Sequence, residues 1–357
     1  MTGGETTRTS GRAASAATIW IALATVYIVW GSTYLAIRVA VRTMPPLLMA
    51  STRFLIAGAL LYVWAIRRGD RAGDRPTRAH WRSALIVGSA LLLGGNGLVV
   101  IAEQTVDSGI ASLLVATVPL WMVLMSRFAL REGVSWAEGI GVVVGFAGVA
   151  LLVQPGNGGG VVGPLLLVFA SVSWAAGSLY ARNAPLPARS LVGAAMQMLA
   201  GGLALGVAGI ARGEIGDIRV DAVSLESVLG FLHLIVFGSL VGFTAYAWLL
   251  RVARTSLVST YAYVNPVVAV LLGWGVLGEE ITPRTLIAGL VIVAAVALIV
   301  SARSTGRKGA GRSSATTVSD GSRSRTRGST ERSRSRRSAK ESTPSAPATT
   351  GIRSTHG

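Results

Sequence analysis

Cysteine is absent from this chain, and histidine occurs three times, at His80, His233 and His356. No disulfide, thiol nucleophile or cysteine metal site can form, and three scattered histidines do not make a metal centre. Charge is also scarce: 14% of residues are charged against 51% hydrophobic. Soluble domains carry ~25% charged residues, so an ordinary soluble fold is excluded. No G-x-x-x-x-G-K-[ST] loop is present, so the chain carries no nucleotide-driven motor of its own. It has no G-x-S-x-G, no H-E-x-x-H and no aspartate cluster, so neither an enzyme nor a cofactor is expected. The formal charge of +17 points to nucleic acid only until the cations are located. Of 33 Lys and Arg, thirteen follow residue 302 and two precede residue 18.

What the chain has is long apolar sequence. About 20 such residues cross a bilayer as a helix. Ten segments qualify, at about 18–41, 46–66, 81–102, 109–129, 135–153, 162–182, 190–211, 226–250, 256–277 and 283–302. Helices are expected because each backbone polar group must be paired within its own segment. Pro46 and Pro283 fall at first-turn positions, where a missing N–H is harmless. Ser135 with Glu138 spells a capping box, and Thr282 caps the last span. Arg8 and Arg12 precede the first apolar run. The small residues Ala13–Ala17 lie before that run rather than after it, so it reads as a retained span and not a signal peptide.

Short cytoplasmic loops are enriched in Lys and Arg. With the N-terminus inside, the inner loops hold twelve arginines: Arg67, Arg68, Arg71, Arg75, Arg78, Arg82, Arg127, Arg131, Arg182, Arg189, Arg251 and Arg254. The outer loops hold four: Arg42, Arg212, Arg219 and Arg284. Both termini are therefore expected in the cytoplasm of a bacterial cell, with the chain in the inner membrane.

The chain also repeats itself. Ser108–Val153 aligns without a gap on Thr255–Val300, placing Pro119 on Pro266, Ser112 on Ser259 and Glu132 on Glu279. Trp30-Gly-Ser-Thr-Tyr-Leu-Ala-Ile-Arg38 aligns with Trp174-Ala-Ala-Gly-Ser-Leu-Tyr-Ala-Arg182. Five spans per half is an odd number, so the second half enters the membrane inverted. That architecture is usual in secondary transporters, with the substrate at the midplane. The expected divisions are an N-terminal tail (1–17), a first repeat (18–153), an outer loop (154–161), a second repeat (162–302) and a basic tail (303–357).

Several residues stand out within the spans. Pro119 and Pro266 each remove a mid-helix hydrogen bond and free a carbonyl, for a solute path or for a packing kink. Asn265 adds an amide beside Pro266, and Thr117 a hydroxyl beside Pro119. Arg38 snorkels or lines a vestibule. Arg53, deeper in its span, needs a partner or water. Glu103 is the expected partner, with Asp107 second, and the pair would form an outer polar gate. Arg53 could instead attract a substrate carboxylate or phosphate. Glu103 is also the candidate for a proton-linked step, since burial raises a carboxyl pKa. Glu279 and Glu280 are expected in solvent. Asn96 sits among Gly94, Gly95 and Gly97, which permit close helix approach. Trp30, Tyr34, Trp174, Tyr246, Tyr261 and Tyr263 supply an aromatic wall with polar edges, and Ser32 is a further candidate for the solute path. Trp20, Trp64, Trp81 and Trp136 fall near span ends as interfacial anchors. Gly141/Gly145 and Gly202/Gly206 are packing faces.

The tail from 303 to 357 is rich in Ser and Arg with few apolar residues, and disorder is expected there. Its expected partner is anionic lipid rather than nucleic acid. The other expected partners are a small-molecule substrate and a second copy of the chain in a homodimer.

The run from Trp30 to Arg38, Pro45-Pro46, Arg53-Phe54, Gly94–Gly97, Ala102-Glu103-Gln104 and Ser112–Glu132 with its echo to Glu280 resembles the EamA branch of the drug/metabolite transporter superfamily. The resemblance covers residues 18–302. It implies an all-α integral membrane fold of ten helices in two inverted five-helix repeats. Spans one to four and six to nine would line a cavity, with spans five and ten peripheral. It also implies a secondary transporter, mostly exporting amino acids, metabolites or drugs by alternating access. In the second half Gly31-Ser32 becomes Ala175-Ala176 and Asn96 meets Phe243, so a lopsided cavity is expected. The alternative is a membrane enzyme acting on a lipid-linked substrate. It would need an acidic or histidine cluster at one interface, which only Glu103 and Asp107 approach.

Overall fold

The structure, a computed structural model, describes residues 15–68, 76–129, 131–153 and 160–302. The expectations for both tails, for Arg71 and Arg75, and for most of loop 154–161 lie outside those residues. All regular structure among the described residues is helical. The first half holds α1 (Ala16–Ala40), α2 (Pro46–Arg67), α3 (Arg78–Ala102), α4 (Ser108–Ala129) and α5 (Trp136–Val153). The second holds α6 (Val162–Ala181), α7 (Ser190–Ala211), α8 (Leu225–Leu250), α9 (Tyr261–Leu277) and α10 (Pro283–Ala302). Nine of these are long and apolar enough to cross a membrane; α9 is the shorter exception.

The continuous helix expected over 256–277 is thus corrected. A single turn, Thr255–Val258, precedes the break, and the helix restarts at Tyr261. The Thr260 hydroxyl bonds the Leu257 carbonyl at 2.6 Å and takes up an acceptor the break would leave bare. α4 breaks in the same way. It is helical to Val115 and resumes at Val118, ahead of Pro119. There the Leu114 carbonyl accepts from the Thr117 hydroxyl at 2.6 Å and from Ser171 of α6 at 3.1 Å. A break inside a membrane span is tolerated only where neighbouring groups supply donors.

The helix starts follow local chemistry. The Ser135 N–H and hydroxyl reach the Glu138 carboxylate at 2.8 and 2.9 Å, completing the capping box of α5. Thr282 accepts from the Thr285 N–H at 3.1 Å and caps α10. Two caps come from far along the chain. The Glu214 carboxylate accepts from the Leu47 and Leu48 N–H groups at 2.9 and 3.0 Å, at the start of α2. Glu279 accepts from Ser108 N–H, Ser108 hydroxyl and Gly109 N–H at 2.8, 3.0 and 3.0 Å, at the start of α4. Glu279 is therefore not the solvated carboxylate expected; the positive end of α4 holds it. Glu280 is exposed.

Small residues set the packing. α2 lies against α7, where Ser51 donates to the Gly202 carbonyl at 2.8 Å and Gly202 faces Leu55. α5 lies against α10 through Gly141 on Ile299, Gly145 on Ala295 and Gly148 on Ile292. α1 packs on α8 and α9 of the other half, and α6 on α3 and α4. Large apolar side chains such as Ile21, Val143, Phe169, Val207 and Leu290 face outward. A water-facing surface of that kind would aggregate, whereas lipid solvates it. Trp20 and Trp136, near span ends, are also exposed.

α3 and α8, the third helices of their halves, each widen into a π-helical stretch, Ser89–Gly97 and Leu234–Val241. Such wide turns often mark functional positions, because they shift the side chains that follow them.

The closest backbone approach tested by sequence is between α3 and α7. A β-carbon on Gly88 would lie 2.5 Å from the Gln197 carbonyl oxygen, and one on Gly201 2.6 Å from that of Gly88. Backbone cannot yield as a side chain can. Gly88→Val or Gly201→Val should destabilise the bundle by ~1–3 kcal/mol, read as a lower melting temperature in detergent. Gly139→Ala, with nothing within 4 Å of the new carbon, should leave it unchanged.

Candidate functional site

α1 serves as a ruler through the bundle, at ~1.5 Å per residue. Near its start, Leu23 and Val26 are buried with Leu249 and Val258 in a small apolar cluster. One turn on, the Trp30 indole N–H donates to the Gly238 carbonyl in the wide turn of α8 at 3.2 Å. The Trp30 ring meets Phe243, Tyr246 and Tyr261 at centroid distances of 5.5, 5.1 and 5.2 Å. Tyr246 and Tyr261 meet each other edge-on at 5.6 Å. Gly31 lets α9 approach, since a β-carbon there would be 3.1 Å from the Asn265 carbonyl oxygen. The Ser32 hydroxyl bonds His233 Nε2 at 2.9 Å. Beyond partly buried Tyr34, Arg38 donates to the Glu103 backbone carbonyl and pairs with Asp107 at 3.7 Å.

The expected Arg53–Glu103 pair does not form. Arg53, 4% exposed, points from α2 toward the wide turn of α8, where its Nε donates to Ser239 Oγ at 3.1 Å. Its guanidinium also lies over the Phe54 ring, 4.6 Å from the centroid. Glu103 instead follows the end of α3 and is fully buried. The cation at the 103–107 loop is Arg38, because α1 and not α2 ends beside that loop.

The second half mirrors part of this. Trp174 of α6, aligned with Trp30, packs on the wide turn of α3, where a β-carbon on Gly95 would lie 2.7 Å from its ring. The Ser173 hydroxyl donates to the Ala90 carbonyl in the same turn at 2.8 Å. Phe243, the counterpart of Asn96, stands in the aromatic wall beside Trp30, so the two sides differ chemically.

The EamA-like transporter family model matches residues 17–154 and again 161–301. The chain belongs to that family. It is 42% identical over 284 residues to the inner membrane transporter YedA of Escherichia coli strain K12, covering 78% of this chain and 89% of YedA. It is 29% identical over 290 residues to the transporter YvbV of Bacillus subtilis strain 168, covering 81% of this chain and 93% of the relative. The fold also matches a chain in a crystal structure with a TM-score of 0.55 at 23% identity, covering 80% of this chain and 96% of that one. The chain is a multi-pass membrane protein of a transporter family, and no group of three or more His, Asp or Glu able to hold a metal occurs among the described residues.

Within this family member, the buried polar side chains without a hydrogen-bond partner are concentrated in the expected site residues. Arg53 Nη1, Asn96 Oδ1, Asn265 Oδ1 and both Glu103 carboxyl oxygens are among eight such atoms in the described residues. The others belong to Trp121, Ser126 and Glu214. Native proteins leave few such atoms, and each asks for a ligand or water. Trp30, Tyr246, Tyr261 and Asn265 gather where α1, α8 and α9 meet. Asn96, Thr117 and Trp174 belong to the neighbouring meeting of α3, α4 and α6. Pro119 stands beside the break in α4, whereas Pro266 lies inside the helix that restarts at Tyr261. His233 and Ser239 were missed by sequence reasoning. Their signal was a polar residue in mid-span, which the scattered-histidine argument discounted.

Glu103 is the titratable group to test. Burial pushes its carboxyl well above the ordinary range, the nearby Glu279 carboxylate adds to this, and Arg38 opposes it. Asp107, half-buried, is raised for the same reasons. A raised acid favours the folded state most when protonated. That contribution is complete below the ordinary glutamate pKa of about 4.3 and is lost as pH rises through the raised value. Glu103→Gln should therefore melt near wild type at acid pH and increasingly above it as pH rises to alkaline values. Parallel melting curves across that range would show that Glu103 is not a buried neutral acid.

Proposed function

We propose that this chain is a secondary active transporter of the bacterial inner membrane, exporting a small amphipathic metabolite, amino acid or drug by alternating access. Its ten spans form two five-helix halves of opposite orientation, with both termini in the cytoplasm. The observation that carries this reading is the reciprocal seating of the paired tryptophans. Trp30 of the first half lies on the wide turn of α8, and Trp174 of the second half on the wide turn of α3. An inverted pair crossed in this way has two equivalent manners of closing, one toward each membrane face.

The solute would lie against Trp30, Tyr34, Tyr246 and Tyr261, which offer apolar faces with polar edges. The amides of Asn265 and Asn96 and the Thr117 hydroxyl would orient it. Toward the cytoplasm the path closes on Leu23, Val26, Leu249 and Val258. Toward the outside it closes where Arg38 meets Glu103 and Asp107. The breaks at 116–117 in α4 and 259–260 before α9 are where the two halves flex as one closure opens and the other forms. Glu103 is the group that would exchange a proton in a coupled cycle.

Metabolite profiling of cells with and without the protein would nominate a solute, and counterflow in proteoliposomes would test it. Saturable counterflow is expected, with Trp30→Ala weakening apparent affinity at least ~10-fold, as loss of several aromatic contacts implies. Conductance without saturation would instead indicate a channel. The topology is testable without background labelling, because the chain has no cysteine. Cysteine at Arg42 or Asp217 should react with an impermeant maleimide from outside, and cysteine at Asn183 or Arg254 only after permeabilisation. Reaction of positions 42 and 183 from the same face would contradict the inverted arrangement.

A further inference from the structure

Arg53 is a cation in the bundle interior, and no carboxylate among the described residues pairs with it. The ion pairs among the described residues are Arg38–Asp107 and Arg182–Glu132. Neither involves Arg53, which is 96% removed from solvent by the 4% exposure already given. Its Nε donates to Ser239 at 3.1 Å, its Nη2 faces Gly238, and its Nη1 has no partner. A neutral hydroxyl does not compensate a buried cation. An uncompensated buried charge costs several kcal/mol, so a protein that only needed packing here would be more stable with an apolar residue.

Further polar side chains lie along the facing stretch of α8. Ser239 and His233 lie on the same stretch of α8, less than two turns apart. His233, half-buried, holds the Ser32 hydroxyl of α1 at 2.9 Å through Nε2 and stacks near Phe237 at 5.2 Å. α1 thus delivers Ser32 to this polar cluster two residues after it delivers Trp30 to the aromatic wall. Polar cluster and wall are adjacent on the same helix, and both use the wide turn of α8: Trp30 bonds the Gly238 carbonyl, and Arg53 bonds the next residue, Ser239.

We propose that Arg53, with His233, Ser32 and Ser239, binds the carboxylate of a monoanionic organic solute whose apolar part lies against Trp30. This rests on the transporter reading above and specifies its substrate. The charge count selects a carboxylate over a phosphate ester. One guanidinium matches one negative charge, whereas a phosphate dianion would leave a buried charge unpaired. The guanidinium fork also offers parallel N–H donors that fit the two oxygens of a carboxylate. Glu103, Asp107 and Glu279, the nearby acids, lie at the far end of α1 beside Arg38 and do not compete for Arg53.

The test uses the full chain in detergent or nanodiscs. Thermal stabilisation would be titrated with a panel of N-acetyl amino acids and aromatic monocarboxylates, each beside its methyl ester or amide. Chloride and inorganic phosphate would serve as further probes. The carboxylates should stabilise wild type and the uncharged analogues should not. Arg53→Gln should weaken the stabilising carboxylate at least ~10-fold. Arg53→Lys should retain part of its binding, and Ser239→Ala and His233→Gln should each weaken it several-fold through loss of one hydrogen bond to the carboxylate. Ser239→Ala and Arg53→Lys keep the positive charge and so guard against simple misfolding of the glutamine variant. Equal stabilisation by esters, stabilisation by phosphate or chloride alone, no carboxylate binding at all, or binding unchanged in folded Arg53→Gln would each overturn the proposal. If counterflow of a neutral or cationic solute persists in Arg53→Gln, the transporter reading stands and the carboxylate site falls. If wild type moves no solute at all, it is the transporter reading that fails.

Discussion

A chain that crosses hydrocarbon must pair every backbone N–H and C=O within the protein, and any interruption of a helix must find its own donors and acceptors. That constraint decides where this structure is irregular. α4 and α9 break only where Thr117, Thr260 and Ser171 hydroxyls can occupy the exposed carbonyls. α3 and α8 widen only where glycines admit a tryptophan from the opposite half. Two carboxylates, Glu214 and Glu279, cross from distant loops to cap α2 and α4. The regular parts of the helices make a scaffold for lipid, and the irregular parts turn polar groups toward the interior.

The functional consequence is a division of labour along α1. Its first turns pack an apolar plug, its middle carries Trp30 and Ser32, and its end carries Arg38 to the acidic loop. One helix from the first half therefore contacts every part of the proposed path contributed by α8 and α9. The same relation holds in part for α6 with α3 and α4, but with Asn96 where the other side has Phe243. A lopsided interior of this kind favours solutes that have one polar and one apolar end. Among the described residues it also leaves Arg53 without an ion pair and the side-chain carbonyl oxygens of Asn96 and Asn265 without a hydrogen-bond partner.

Much of this was legible in the sequence. Span lengths, the capping box at Ser135, the Thr282 cap, the glycine faces and the aromatic residues of the wall all follow from local composition. So did the choice of Arg53, Asn96, Glu103 and Asn265 as buried polar residues, because depth within an apolar run is read directly from position. What could not be read is how these residues pair. Arg53 meets Ser239 and not Glu103 because the rotation of α2 about its axis is set by packing on α7. The π-helical stretches have no period of their own in the sequence. Glu279 looked solvated because its partner N–H groups lie some 170 residues earlier. His233 looked isolated because Ser32 reaches it from another helix.

The central claim is that two inverted halves rock about this interior, exposing it to one face at a time. Spin-label distances on the cysteine-free background test it most directly. One pair would join positions 104 and 217 at the outer face, and another 133 and 254 at the inner face. Reciprocal shifts are predicted when solute is added, the outer distance lengthening as the inner shortens or the reverse. Two distances that each stay single and unchanged, while solute is demonstrably transported, would contradict the account.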